Sequence, residues 1–373
     1  MVSVYKRYLS IDPSITERFA GFLLSDTISK PRPLPAAKLL LSLARKAAKG
    51  QYASPEGKSP YQLLEDWIDV VERFPEEVGL GVDDTDESNA EVARADAERE
   101  AEEAEAAKEG QLVRKDGTGA ADTQPSSVYT EDEDPQSTRK LNVESIIHKD
   151  GLSIYKDQAG RLWTGLATYW TKRGEFDRAK STFEEGMRTV LTVRDFSKIF
   201  DSYQEFCEAM ISSFMELLEE EDDKEEAAET EKDMDVWMAE LEGLADRRPF
   251  LVNDVLLRRN PHDVQEWEKR VALHGEDDEA VAKTYTQALE TVNPRKATAN
   301  LHQLYINFAK FYEEGGASGQ AEPDLESARK ILEKATKVNF KTVEDLAEVW
   351  CEWSEMELRH EYVLLLHGYL TDC

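Results

Sequence analysis

The sequence predicts an all-α protein, an α-solenoid of helical hairpins with long acidic insertions, and three observations lead to this fold class. Apolar residues recur at helical spacing along most of the chain outside two acidic stretches. Amphipathic helices come in pairs, and their repeat length is close to the ~34 residues of tetratricopeptide (TPR) repeats, which is typical of an α-solenoid. Strand signals, namely β-branched alternation around Asn-Gly turns, are absent from the sequence.

A template of three positions marks the first helix of each pair. It begins with a leading residue that is aromatic, continues with a mostly small residue four positions later, and ends with a bulky residue six positions later. A small residue lets two helices approach closely while an aromatic side chain fills the groove between them. The leading residues are Trp163, Phe200, Trp267, Tyr305 and Trp350. The small residues that we single out in first and second helices are Ala167, Ala179, Ala309 and Ala328.

The leading tryptophans allow two interpretations. As platforms for stacked bases they would form a nucleic-acid site, and as anchors between helices they would hold the array together. Basic residues are not regularly interleaved with Trp163, Trp267 and Trp350, which favours packing between helices.

The net charge of −31 is concentrated in two segments. Glu76 to Asp134 holds 20 acidic and 5 basic residues, and Glu216 to Asp235 holds 12 and 2. Both segments are poor in aromatic and β-branched residues, so they are predicted to be disordered, solvated insertions. Mimicry of nucleic acid or a dock for basic tails is the functional alternative. The acidic balance argues against a protein that wraps nucleic acid or an anionic membrane with its whole surface, because both need a basic footprint.

These features divide the chain into three regions. Residues 1–75 are predicted to be N-terminal repeat helices, in which AAKLLLSLARKAA and YQLLEDWIDVVERF form amphipathic helices. Residues 76–140 form the acidic low-complexity insertion. Residues 141–373 form the main repeat array, with a second acidic loop at 216–235.

Residue patterns of enzymes and cofactor sites are missing from the sequence. It has no GxGxxG, Walker-type, GxSxG or HExxH pattern, and its three cysteines and six histidines lack metal-ligand spacing. We therefore predict no catalytic, cofactor-binding or metal-binding residues, no small-molecule substrate and no enzyme. Lys6 and Arg7 precede any apolar run, and the uncharged run Tyr362–Leu370 is too short to span a membrane. We expect a soluble intracellular protein in which this apolar run forms an exposed patch.

Two local basic stretches are candidate contacts for RNA or an acidic partner. The first consists of Arg32, Lys38, Arg45, Lys46 and Lys49, preceded by Lys30. The second consists of Arg247, Arg248, Arg258 and Arg259. An ordinary solvated face is the alternative for both, since long basic side chains lie along apolar surface with their charges in water.

The repeat template resembles the HAT (half-a-TPR) repeat, and longer strings resemble one family of HAT proteins, the Syf-type pre-mRNA splicing factors that include the XPA-binding protein of animals. The strings that carry this resemblance are SPEGKSPYQLLEDW, GEFDRAKSTFEEGMRTVLTVRDFSKIFDSYQEF, VLLRRNPHDVQEWEKRVALH and ILEKATKVNFKTVEDLAEVWCEWSEMELRHE. They cover most of the chain outside the two acidic segments.

The resemblance implies a non-catalytic scaffold in the nucleus. Such proteins are arched HAT arrays that contact other spliceosomal proteins of the Prp-nineteen-associated complex, and the animal member is linked to transcription-coupled repair. The chain is shorter than full family members and departs from their pattern after Glu361, so we expect a middle segment or a truncated gene model. The alternative is a HAT protein of another RNA-processing complex that contacts RNA through its local basic patches.

Overall fold

The structure, a computed structural model, describes residues 5, 9, 15–25, 31–80, 140–220, 224–298, 300–319 and 322–371, with side chains described as far as His360. In these ranges the chain is mostly helical and forms no β-strand, which confirms the predicted all-α class. Within the described helices, no stretch combines the length and apolarity that a bilayer crossing requires. The chain divides into two compact units, Met1–Gly186 and Met187–Cys373.

The helices of the first unit begin near the N-terminus and continue on both sides of residues 81–139. They are α1 Thr16–Leu24, α2 Pro33–Ala48, α3 Pro60–Arg73, α4 Pro75–Val78, α5 Val143–Ile146, α6 Gly160–Lys172 and α7 Phe176–Thr189, whose last residues belong to the second unit. A π-helical turn over Ile147–Leu152 continues α5. An isolated parallel bridge joins Gly79 to Leu141, which lie on either side of residues 81–139 in the sequence.

Helix α3 forms the centre of the first unit. The side chain of Ser59 accepts a hydrogen bond from the backbone N–H of Gln62 at 3.2 Å, and the Gln62 side chain accepts one from the N–H of Ser59 at 2.8 Å. This capping box, together with Pro60 at the first helical position, defines where α3 begins. Helix α3 contacts both α2 and α6, and its apolar face includes the fully buried Trp67.

Helices α3 and α6 approach closely at Gly165. A β-carbon at this position would lie 2.5 Å from Cγ2 of Ile68. We expect Gly165→Ala to lower the free energy of unfolding by about 1–2 kcal/mol, because overpacking outweighs the gain in helix propensity. Gly21 in α1 is the matched control, since a β-carbon there would meet nothing within 4 Å. Gly21→Ala should raise stability by about 0.5–1 kcal/mol, so urea unfolding curves that move in the same direction for both variants would contradict the close contact.

The second unit is a succession of seven helices in the described ranges. They are α8 Val193–Glu220, α9 Lys224–Arg259, α10 Val264–His274, α11 Asp278–Thr291, α12 Leu301–Glu313, α13 Leu325–Thr336 and α14 Val343–Thr371. The carboxylates of Asp263, Asp277 and Asp324 each accept a backbone N–H at 3.0–3.1 Å and so define where α10, α11 and α13 begin. Aromatic contacts such as the stacked rings of Tyr285 and Phe308, 4.8 Å apart, fill the core between these helices.

The prediction of a disordered loop at residues 216–235 is wrong for the part that the structure describes. Helix α8 continues to Glu220, and α9 begins at Lys224. Glutamate and alanine are good helix formers, and a tertiary partner is available because the Phe206 ring meets the Trp237 ring at 5.4 Å. The same prediction is wrong for the described start of the first acidic segment, because residues 76–78 lie in α4 and Gly79 pairs with Leu141. The rest of that prediction, and the predicted apolar patch at Tyr362–Leu370, concern residues or side chains outside the described part.

Candidate interaction surfaces

Most residues of the repeat template lie in the core. The side chains of Trp163, Phe200, Trp267 and Tyr305 are at most 8% exposed. The small residues singled out in the sequence are also buried: Ala167, Ala179, Ala309 and Ala328. The indole N–H of Trp267 donates to the carbonyl oxygen of Pro261 at 3.0 Å, which satisfies its one polar atom within the fold. These four aromatic side chains are therefore packed between helices, where stacking on a base would require them to be exposed.

Trp350 differs from the other leading residues because it is 51% exposed. Helix α14 turns Val349 and Met356 towards α12 and α13, where both are buried. Successive residues of a helix are rotated by about 100°, so Trp350 lies on a different face from Val349. Its ring stacks on the Trp353 ring at 5.5 Å. The expectation that Trp350 packs between helices is thus wrong for this chain.

The first basic stretch does not form a uniformly exposed patch. Arg32 and Lys49 are exposed at the two ends of α2, whereas Lys38, Arg45 and Lys46 are half-buried along it. The guanidinium of Arg45 binds Asp150 of the π-helical turn, with N–O distances of 2.8 and 2.9 Å. This arginine therefore connects α2 to the segment that follows residue 140.

The second basic stretch is largely engaged within the protein. Arg258 donates to the carbonyl oxygens of Met187 at 2.9 Å and Val190 at 3.0 Å, at the end of α7. Burial lowers the pKa of the Arg258 guanidinium from its ordinary value. Arg248 lies over the Phe200 ring at 4.8 Å from the ring centre. Arg259, in contrast, is exposed at the end of α9.

A cleft of about 450 Å³ lies beside Arg258 in the second unit. The charged and aromatic side chains that line it are Arg188, Asp254, Arg258, Trp267 and Arg270. Asp254 accepts a hydrogen bond from Arg270. Arg258 donates to three backbone carbonyl oxygens, those of Met187, Val190 and Asp254. The sequence does not single out Arg188 or Arg270, because they belong to different helices and only the fold brings them together.

Two histidines of the second unit face carboxylates. His302, which is buried, has Nδ1 at 3.2 Å from Asp345 and Nε2 at 2.7 Å from Glu348. His360 Nε2 lies 3.1 Å from Glu313. Among the described residues, no group of three or more His, Cys, Asp or Glu side chains is arranged to hold a metal ion. Both contacts connect α12 to α14.

Glu313 of α12 is bonded by both Arg359 and His360 of α14. The Arg359 guanidinium donates to its two oxygens at 2.9 and 3.0 Å. Burial alone would raise the pKa of the Glu313 carboxyl, but Arg359 and His360 outweigh it and hold that pKa below the ordinary value of 4.5. The ionised form is therefore the one that stabilises the fold.

The contribution of Glu313 to stability should depend on pH. A carboxyl group whose pKa is lower in the folded than in the unfolded protein stabilises the fold at pH values above its unfolded pKa. This stabilisation is lost as the pH falls through the folded-state pKa. We expect Glu313→Gln to be less stable than the parent chain at neutral pH, and the difference to shrink near pH 3. Glu314→Gln is the control, since Glu314 is the exposed neighbour. Urea unfolding at several pH values measures this, and a pH-independent deficit would contradict the ion-pair explanation.

The hairpin of α8 and α9 has an apolar groove with an acidic surround. The groove has a volume of about 340 Å³, and its lining includes Phe200, Gln204, Met238, Leu241, Leu244 and Ala245. The hydroxyl of Tyr203 donates to the Glu240 carboxylate at 3.0 Å and ties the two helices together at this level. The sequence predicts a loop for the acidic part of this hairpin, and a loop offers no groove between paired helices.

Comparison with known proteins identifies the family to which this chain is similar. Residues 126–292 match the model of the pre-mRNA-splicing factor SYF1 middle HAT repeat, and residues 294–364 match that of the Syf1/CRNKL1 C-terminal HAT repeat. Together the two models cover well over half of the chain. The chain belongs to the Syf1 family of HAT-repeat splicing factors. Membership in the Syf1 family confirms both the predicted α-solenoid of HAT-type hairpins and the resemblance to Syf-type splicing factors.

Relatives in the Syf1 family share about half of the aligned residues. The pre-mRNA-splicing factor SYF1 of Mycosarcoma maydis is 46% identical over 410 aligned residues, which include 96% of this chain and 38% of that relative. The human SYF1 is 49% identical over 229 residues, 61% of this chain and 26% of the relative. The Neurospora crassa syf1 is 54% identical over 201 residues, 54% of this chain and 23% of the relative. The chain therefore spans less than two fifths of these Syf1 proteins.

Proposed function

We propose that this chain serves pre-mRNA splicing in the nucleus as a non-catalytic scaffold that contacts other proteins through its helical-repeat surfaces. The observation that carries this proposal is the pair of adjoining SYF1 HAT-repeat matches over residues 126–364. In an α-solenoid each repeat packs only on its neighbours, so the array offers a long surface to several partners. The partners that we propose are other spliceosomal proteins of the Prp-nineteen-associated complex.

Several polar side chains bind other parts of the fold, and this supports a scaffold that contacts other proteins through its remaining surface. Arg45 binds Asp150, Arg258 binds the carbonyl groups of Met187 and Val190, and the Trp267 indole binds Pro261. Groups engaged in this way hold helices together. What is left to partners is the exposed surface of the repeats.

Affinity purification tests the scaffold role. The tagged 373-residue chain would be mixed with nuclear extract, and the retained proteins identified by mass spectrometry with and without ribonuclease. We expect splicing proteins to be retained in both cases, since the proposed contacts are between proteins. Recovery of chaperones alone, or loss of every splicing protein after ribonuclease, would contradict the proposal. The variant Trp67→Ala, whose first unit we expect to be destabilised, shows whether retention depends on the folded state of that unit.

Direct RNA contact is the alternative, and the exposure of Arg32, Lys49 and Arg259 favours testing it. Binding that depends on phosphate neutralisation weakens steeply with salt, in proportion to the number of ionic contacts. Filter binding of a single-stranded RNA at several salt concentrations measures this slope. Tight binding that is lost in Arg32→Ala and Lys49→Ala would favour RNA recognition, whereas weak binding unaffected by these changes would favour the protein scaffold.

A further inference from the structure

Helices α8 and α9 are much longer than the repeat helices that follow them. They contain 28 and 36 residues, whereas α10 and α11 contain 11 and 14. Among the described side chains, none of α8 after Cys207 and none of α9 before Leu244 is fully buried. The distal part of this hairpin, residues 208–220 and 224–243, is therefore packed only partly and leaves much of its apolar surface in contact with water.

Apolar side chains are exposed along this distal part. Met215, Leu217, Val236 and Met238 are 47–63% exposed. Met215 follows Gln204 by three helical turns and so lies on the same face of α8, while Met238 lines the apolar groove itself. Methionine adapts its shape to different partners and is frequent at surfaces that bind helices. Met215 therefore adds an exposed apolar side chain three turns beyond the groove on the same face of α8, whereas Leu217 and Val236 point away from that face.

The charge around these apolar side chains is mostly negative. Residues 201–248 contain eighteen acidic residues and four basic ones, Lys224, Lys232, Arg247 and Arg248. Arg247 binds Glu240, and Arg248 lies over the Phe200 ring, so both are engaged within the hairpin.

Glu242 is exposed in the lining of the groove, and the exposed Glu208 accepts a hydrogen bond from the Gln204 amide, which also lines it. An acidic surround repels RNA and acidic peptides and attracts cations over a distance of about 8 Å at physiological salt. The surface therefore suits a ligand that is apolar in the middle and basic at its edges.

We propose that the groove of the α8–α9 hairpin binds a basic amphipathic helix of another protein. The helix would place its apolar face on Met238, Leu241 and Met215, and its lysine or arginine residues against the flanking glutamates. This is recognition of a helix in a groove, in which buried apolar area provides affinity and charge provides orientation and rate of association. The distance from Gln204 to Met215, about 16 Å at 1.5 Å per residue, matches three turns of such a helix.

The inference rests on the proposed scaffold role only in assuming that the surface is used for protein contacts. It names the chemistry of one partner and is tested on the isolated chain. Failure of the peptide experiment would leave the result of the purification from nuclear extract unchanged. Failure of the purification would in turn leave the peptide result standing.

Fluorescence anisotropy with a synthetic peptide tests the groove. The probe is a labelled 14-residue peptide of leucine and lysine arranged with helical periodicity, and the protein is the full 373-residue chain. The double variant Met215→Ser, Met238→Ser removes the exposed apolar groups without touching the core. We expect it to weaken binding by roughly tenfold or more, as loss of central apolar contacts does. The matched control is Val343→Ser, Leu358→Ser, two exposed apolar residues of α14, which should change Kd by less than about twofold.

A second peptide separates shape from charge. It has the same composition in an order without helical periodicity, so it carries the same charge but no apolar face. We expect it to bind at least about tenfold more weakly. Equal binding of the two peptides, equal loss in both double variants, or no binding of the periodic peptide at 100 µM would overturn the proposal. Competition by single-stranded RNA at the same site, relieved by the methionine changes, would also overturn it in favour of a nucleic-acid site.

Discussion

Replacing Trp67 with alanine is expected to lower the free energy of unfolding of the first unit by about 3–5 kcal/mol, as large-to-small changes in packed cores do. Trp67 is 0% exposed in α3, the helix that contacts both α2 and α6. In the described part of the chain its indole N–H has no hydrogen-bond partner, so its contribution comes from packing. Trp67→Phe keeps most of the buried area and removes the unpaired N–H, and it should cost less than about half as much.

Trp350→Ala is the matched control for this prediction. It removes the same side chain from a site that is 51% exposed, and we expect a change within about 0.5 kcal/mol. Urea unfolding followed by far-UV circular dichroism measures both variants, with separate transitions fitted for the two units if they unfold independently. Equal losses for Trp67→Ala and Trp350→Ala would show that burial does not decide the contribution of these tryptophans.

The helical fold could be predicted because its signal is local. The apolar positions of RLWTGLATYW recur at helical spacing, and Trp163, Leu166, Ala167 and Trp170 are all buried in α6. The acidic residues at 216–235 were misassigned because their composition alone indicates a solvated loop. Their helical state depends on the pairing of α8 with α9, seen in the contact of Phe206 with Trp237. That pairing joins residues far apart in sequence.

The roles of individual surface residues were less predictable for the same reason. The local template treats Trp350 like Trp163, yet the face that α14 turns towards α12 and α13 is set by Val349 and Met356. The string LLRR shows two adjacent arginines of equal charge, but only Arg258 finds carbonyl groups at the end of α7, 68 and 71 residues earlier. Neither difference is contained in the spacing of residues along one helix.

Arg258→Ala should lower the free energy of unfolding of the second unit by about 1.5–3 kcal/mol, because it removes hydrogen bonds from a charged donor and leaves their acceptors unpaired. The acceptors are the carbonyl oxygens of Met187, in the last turn of α7, and of Val190, directly after it. The last carbonyl groups of a helix have no partner within the helix, so a guanidinium that binds two of them fastens α9 to the end of α7. Arg258→Lys keeps the charge but offers one compact donor group, and we expect an intermediate loss.

Arg259→Ala distinguishes this structural role from a role in binding. It removes the same charge one residue later, at an exposed position, and should change stability by less than about 0.5 kcal/mol. Chemical unfolding of the three variants and the parent chain gives the comparison, and salt should affect Arg258→Ala little because its lost contacts are partly buried. If Arg258→Ala and Arg259→Ala were equally stable, and Arg258→Ala instead weakened binding of RNA or of a splicing protein, then Arg258 would belong to a contact surface and the pairing with α7 would not be needed to hold the unit together.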